Sequence, residues 1–135
     1  MHSSNIIITL FIFSTIYHII NMVILVKKYM QDYITEIDNY INSTYHSNID
    51  EVIRIHLRKI KFFQHERIVH LFVTLFFALF AILFTFLIKT SYCFVPVAFI
   101  LYIILLFYIF HYFFLENSVQ YMYKQHDKLL KIANH

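Results

Sequence analysis

Residues 68–88 read IVHLFVTLFFALFAILFTFLI, 21 positions without a formal charge. At about 1.5 Å rise per residue, a helix of that length covers roughly 30 Å, the thickness of a bilayer's hydrocarbon core. Two more uncharged runs lie on either side, residues 6–26 and residues 94–115. Three such runs leave a soluble globule too little polar surface to cover them. The sequence therefore predicts an all-α integral membrane protein with three transmembrane helices.

Composition points the same way. The 135 residues are 60% hydrophobic and 14% charged, where soluble domains have about 45–50% and 25%. That excludes an ordinary soluble globule, a disordered chain and a nucleic-acid-binding domain. The absence of glycine removes phosphate-cradling loops and GxxxG helix contacts. A single cysteine, Cys93, excludes an internal disulfide framework and a CxxC zinc site. Sixteen Phe and eleven Tyr beside no Gly point to an A+T-rich genome, so aromatic richness is not read as a ligand pocket. The length allows one domain, residues 1–135.

The first run reads as a retained anchor rather than a signal peptide. No Lys or Arg precedes it, no small-residue cleavage site follows it, and it ends in Lys27 and Lys28. Orientation follows from the basic residues. Lys27, Lys28, Arg54, Arg58, Lys59, Lys61 and Arg67 lie between the first and second runs, and Lys124, Lys128 and Lys131 lie after the third. Only Lys89 sits in the short loop between the second and third. The rule that basic loops stay inside predicts the N-terminus out and the C-terminus in. The net charge of +3 then suits the anionic lipid of an inner leaflet.

Residues 27–67 are too long for a plain loop and carry helical periodicity. Ile34, Ile37 and Ile41 recur at three and four, as do Val52, His56, Ile60 and Phe63. The turn-forming stretch 42–48 separates them, and Asn48 with Glu51 has the spacing of a capping box. The first span is thus expected to continue as a helix to about residue 42. A second helix starts near Ile49 and runs into the second span, making a cytoplasmic helical hairpin. The tail, 116–135, repeats the pattern with Val119, Met122, Tyr123, His126, Leu129 and Leu130. It is expected either to pack as a third strut or to lie on the lipid surface.

Inside lipid, polar side chains are the informative ones. Ser14, His18 and Asn21 share one face of the first span, and Thr74, Ala78, Ala81 and Thr85 form a stripe of small residues on the second. These faces are expected to meet, with Thr74 near the level of His18 and Asn21. The main reading is helix-to-helix hydrogen bonding, worth about 0.6–2 kcal/mol per contact; the sharper one is a proton or ion path. At the cytoplasmic mouth, a hairpin turning about residue 91 brings His65, Glu66, Arg67 and His70 near His111, Glu116 and Asn117. Glu66 and His70 share a helix face four residues apart. With His111 they offer a two-His, one-carboxylate set. The blander reading has Arg67 reaching to phosphate and Glu66 pairing with a neighbouring cation. No metal, cofactor or catalytic residue is expected, since no nucleophile elbow, P-loop or HExxH pattern is present.

The string 59–70, KIKFFQHERIVH, and the string 111–117, HYFFLEN, resemble uncharacterised small multi-pass membrane proteins of low-G+C Gram-positive bacteria. The resemblance implies a bacterial plasma membrane and supplies no activity. The expected function is non-enzymatic: an oligomerising, scaffold or accessory subunit, its partners the lipid bilayer and itself or another membrane protein, without nucleic acid. The alternatives are a small holin-like pore or membrane-disrupting effector, and an accessory subunit of an organellar respiratory complex, where His18, His70 or His111 would ligate haem.

Overall fold

A computed structural model describes the backbone of residues 2–134 and the side chains of 7, 10, 13, 14 and 16–134. It is all-α: α1 (His2–Ile41), α2 (Ile49–Leu87), a single 3₁₀ turn (Tyr92–Phe94) and α3 (Val95–Ala133). The helices have 40, 39 and 39 residues, each about 60 Å long. They form two compact units, Met1–Tyr40 and Ile41–His135.

In the first unit, Val23, Met30, Tyr33 and Ile37 are buried, at intervals of seven, three and four along one face of α1. The expectation for residues 6–26 as a first span falls partly outside the described side chains.

In the second unit, α2 and α3 form an antiparallel hairpin. Two of the chain's described helices are long and apolar enough to cross a membrane, α2 and the stretch Tyr92–Ala133. Only 6% and 11% of their apolar windows are buried, whereas the core helix of a soluble protein hides such a window. Phe72, Leu75, Phe76, Leu79, Phe99, Ile103 and Phe110 point outward, as lipid-facing residues do. Where the two helices touch here, small Ala81 and Ala98 are buried, Phe77 stacks on Tyr108 at 5.3 Å and Thr85 bonds the Tyr102 hydroxyl at 3.1 Å.

The end of α2 tightens into overlapping turns, with Thr90 N–H donating to the Leu87 carbonyl at 2.9 Å and Ser91 N–H to the same oxygen at 3.1 Å. Ser91 is extended and its hydroxyl accepts from the Cys93 N–H. Pro96 stands in the first turn of α3, where its missing N–H costs nothing.

The start of α2 departs from expectation. Asn48 is left-handed, φ 53°, and its side chain makes no capping bond. Its carbonyl instead accepts from Glu51 and Val52 N–H, while the Glu51 carboxylate meets Arg54 at 3.8 Å. A chain without glycine must reverse here on another residue, and Asn tolerates that region best. The tail also resolves one alternative. α3 is a single unbroken helix to Ala133, and its distal half packs on α2 rather than leaving it.

Candidate functional site

The seam between the polar halves of α2 and α3 is where the ionisable side chains gather. On α3, apolar Leu115, Met122 and Leu129 are buried seven residues apart, and polar His111, Ser118 and Gln125, also seven apart, are buried beside them. On α2 the facing positions are His56, Ile60 and Phe63, all buried, continuing to Arg67, His70 and Thr74. This is the heptad arrangement of a coiled coil, with polar side chains at one core position.

At the end nearer the apolar windows, His70 and His111 meet edge to face, ring centroids 4.5 Å apart. Tyr108 lies 6.0 Å from His70, and Phe114 stacks on His111 at 6.4 Å. The Thr74 hydroxyl donates to the His70 carbonyl at 2.7 Å, so Thr74 satisfies its own helix. His70 Nδ1 is buried with no hydrogen-bond partner.

One turn further out, Arg67 Nη1 donates to Glu116 Oε2 at 2.7 Å. These side chains are 24% and 30% exposed, so water screens the pair only in part. The Tyr112 hydroxyl also donates to Glu116 Oε2, at 3.5 Å, and the Gln120 amide to Oε1 at 3.2 Å. Arg67 thus pairs with a protein carboxylate across the seam. Beyond it the Gln64 amide donates to the Tyr123 hydroxyl.

At the outer level, His56 is fully buried. Its Nε2 donates to the Met122 carbonyl at 2.9 Å, and its ring stacks on His126, centroids 6.2 Å apart. Burial pushes the His56 imidazole below its ordinary value; the Met122 carbonyl opposes this and His126 adds to it. His126 Nδ1 is buried without a hydrogen-bond partner.

Of the expected mouth cluster, Arg67, His70, His111 and Glu116 come together at the seam. His65 and Asn117 are exposed and Glu66 is half-buried. Among the described residues no three His, Cys, Asp or Glu side chains converge as a metal site, so the set of Glu66, His70 and His111 does not form. At 4.5 Å the His70 and His111 rings touch. On α1, Ser14, His18 and Asn21 are exposed.

His56 and His126 stand in the expected helical stripes, but their pairing across the seam and the burial of Ser118 and Gln125 were not expected. The signal was present: His111, Ser118 and Gln125 recur every seven residues in step with Leu115, Met122 and Leu129. No family model, curated protein or solved structure matches this chain.

Proposed function

We propose that this protein is a non-enzymatic subunit of a membrane assembly, binding itself or a larger membrane protein through its polar helical arms. The membrane is a bacterial plasma membrane, the N-terminus is outside and the arms lie in the cytoplasm, as the basic residues favour. One observation carries the reading. The polar half of the hairpin, about 28 Å long from Ile49 to Arg67, keeps apolar side chains in the open: Leu57, Phe62, Tyr121 and Leu130 are 39%, 48%, 40% and 40% exposed. Exposed apolar groups on a rigid arm outside lipid suit a protein partner.

Ile37 and Ile60 are already buried within the chain, so substituting them tests folding rather than association. Leu57→Glu and Phe62→Glu change the exposed surface and leave the seam intact. Chemical cross-linking in native membranes is expected to trap an oligomer or a partner complex. Each substitution weakens it roughly tenfold, the effect of losing about 1.4 kcal/mol at an interface. Full association in the double variant would sink the proposal.

A second reading draws on α1. Ser14, His18 and Asn21 are exposed within an otherwise apolar run, the pattern of a pore lining supplied by several copies. The apolar half of the α2–α3 seam is filled by Ala81, Ala98 and the Phe77–Tyr108 stack, so a conduit between those two helices has no support.

A further inference from the structure

The outward face of α2 changes character where its apolar run begins. Arg58, Lys61, His65, Phe72, Phe76 and Leu79 follow one another at intervals of three, four, seven, four and three, so they share one helix face. All six are exposed, on the side of the helix away from Ile60, Phe63 and Arg67. The apolar part of this face is not flat: Phe72, Leu75, Phe76 and Leu79 line a groove of about 200 Å³. The polar part is basic. Glu66, the only acid between residues 58 and 72, lies about 100° around the helix from His65. At about 1.5 Å per residue, His65 stands roughly 4.5 Å and Lys61 roughly 10 Å before Ile68, the first residue of the uncharged run. The headgroup layer is about 5–8 Å deep, and lysine and arginine stems carry their charges back toward it. At the same level α3 has no exposed cation. It offers Glu116, bonded to Arg67, and Asn117, and Lys124 follows Leu115 only after nine residues.

We propose that this face binds an anionic phospholipid of the leaflet on the side of the polar arms. Its phosphate is held among Arg58, Lys61 and His65, and one acyl chain lies in the groove from Phe72 to Leu79. Both parts of the ligand are needed to account for the face. A soluble anion leaves the groove unfilled, and a purely apolar occupant leaves the basic row unanswered. A zwitterionic lipid brings its own cation to that row, whereas a net negative headgroup gains about fivefold in affinity for each Lys or Arg near the surface. The site rests on α2 crossing the membrane and is independent of what the arms bind.

The chain has no tryptophan, so one placed by Phe72→Trp reports on the groove alone. Phe110→Trp, exposed on α3 at a similar depth from the polar arms, is the control. Each protein is inserted in vesicles of equal parts phosphatidylglycerol and phosphatidylcholine, with brominated chains on one lipid at a time, and quenching of its fluorescence is read. At position 72 brominated phosphatidylglycerol is expected to quench with about fivefold preference over brominated phosphatidylcholine; at position 110 the two quench alike. Arg58→Gln/Lys61→Gln brings the preference at 72 to within about twofold. Should that double substitution disturb packing, Lys61→Gln alone decides, and the preference falls at least by half. Equal quenching by the two lipids at 72, a preference as large at 110, or a preference that survives the substitutions overturns the proposal. Quenching at 110 with none at 72 means that protein covers the groove, and overturns it too. Quenching at neither position removes the membrane reading of α2 itself, and the site with it.

Discussion

Asn48 shows how one position governs the entry into α2. A capping box needs the Asn side chain, whereas the observed backbone, φ 53° with the carbonyl accepting from Glu51 and Val52 N–H, needs a residue that tolerates the left-handed region. The left-handed region costs most residues roughly 1–2 kcal/mol, and Gly and Asn least. Serine separates the two requirements, since it caps helices as well as Asn does but does not favour positive φ. Asn48→Gly is expected to leave unfolding in detergent micelles within about 0.5 kcal/mol of native, and Asn48→Ser to destabilise by about 1 kcal/mol. Equal stability of the serine variant and the native protein would restore the side-chain cap. The residue pattern alone could not reveal this. Asn-x-x-Glu has the right spacing in both cases, and only a glycine-free turn, in which some residue must take the positive φ, distinguishes them.

Helix periodicity was legible to within a residue or two: α1 was expected to end near 42 and α2 to begin near Ile49, and they end and begin at Ile41 and Ile49. Of the expected apolar positions some are buried, whereas Tyr123 and Leu130 are exposed. Ile60, Phe63, Val119, Met122 and Leu129 all lie in contact positions. Counting outward from the turn at residue 91 placed His70 beside His111. The same count places His56 level with His126, but apolar spacing had already assigned His56 to a general hydrophobic stripe. Arg67 was expected near Glu116, but its pairing with that carboxylate was not. Reaching to lipid phosphate and pairing across the seam are both open to an interfacial arginine, and the choice depends on the rotation of α3, which sets Glu116 opposite. That pairing makes a quantitative expectation. Breaking a partly buried charged hydrogen bond costs about 1.5–3 kcal/mol, whereas an exposed pair such as Glu51–Arg54, 57% and 70% exposed, is worth about 0.2–1. A double-mutant cycle of Arg67→Met with Glu116→Gln, read by unfolding in micelles, should give a coupling above about 1 kcal/mol, and the Glu51–Arg54 cycle less than half of it. Equal couplings would mean that water screens the seam pair as fully as the exposed one.

For the whole chain, the proposed topology rests on the distribution of basic side chains, ten of eleven Lys and Arg on one side of the three apolar runs, and one thiol can read it. Cys93 is exposed and sits in the turn between α2 and α3, on the side opposite the hairpin's polar arms. In sealed cells or right-side-out vesicles, a membrane-impermeant thiol reagent should modify Cys93 without lysis. A cysteine at Lys128, on a Cys93→Ser background, should react only after the membrane is opened. The reverse pattern would invert the topology and with it the cytoplasmic placement of the arms. The same reagent separates the two functional readings. Cysteines placed at His18 or Asn21 lie within the first apolar run. If α1 packs against protein or lipid there, as a subunit of an assembly requires, they stay protected while Cys93 reacts. If several copies turn that face to an aqueous path, they react at a rate within about tenfold of Cys93, a difference of no more than about 1.4 kcal/mol in activation free energy. Protection of both positions leaves the arms as the functional surface. Modification of both makes Ser14, His18 and Asn21 a lining, and ion leakage from vesicles that falls in His18→Ala/Asn21→Ala would then follow from the same geometry.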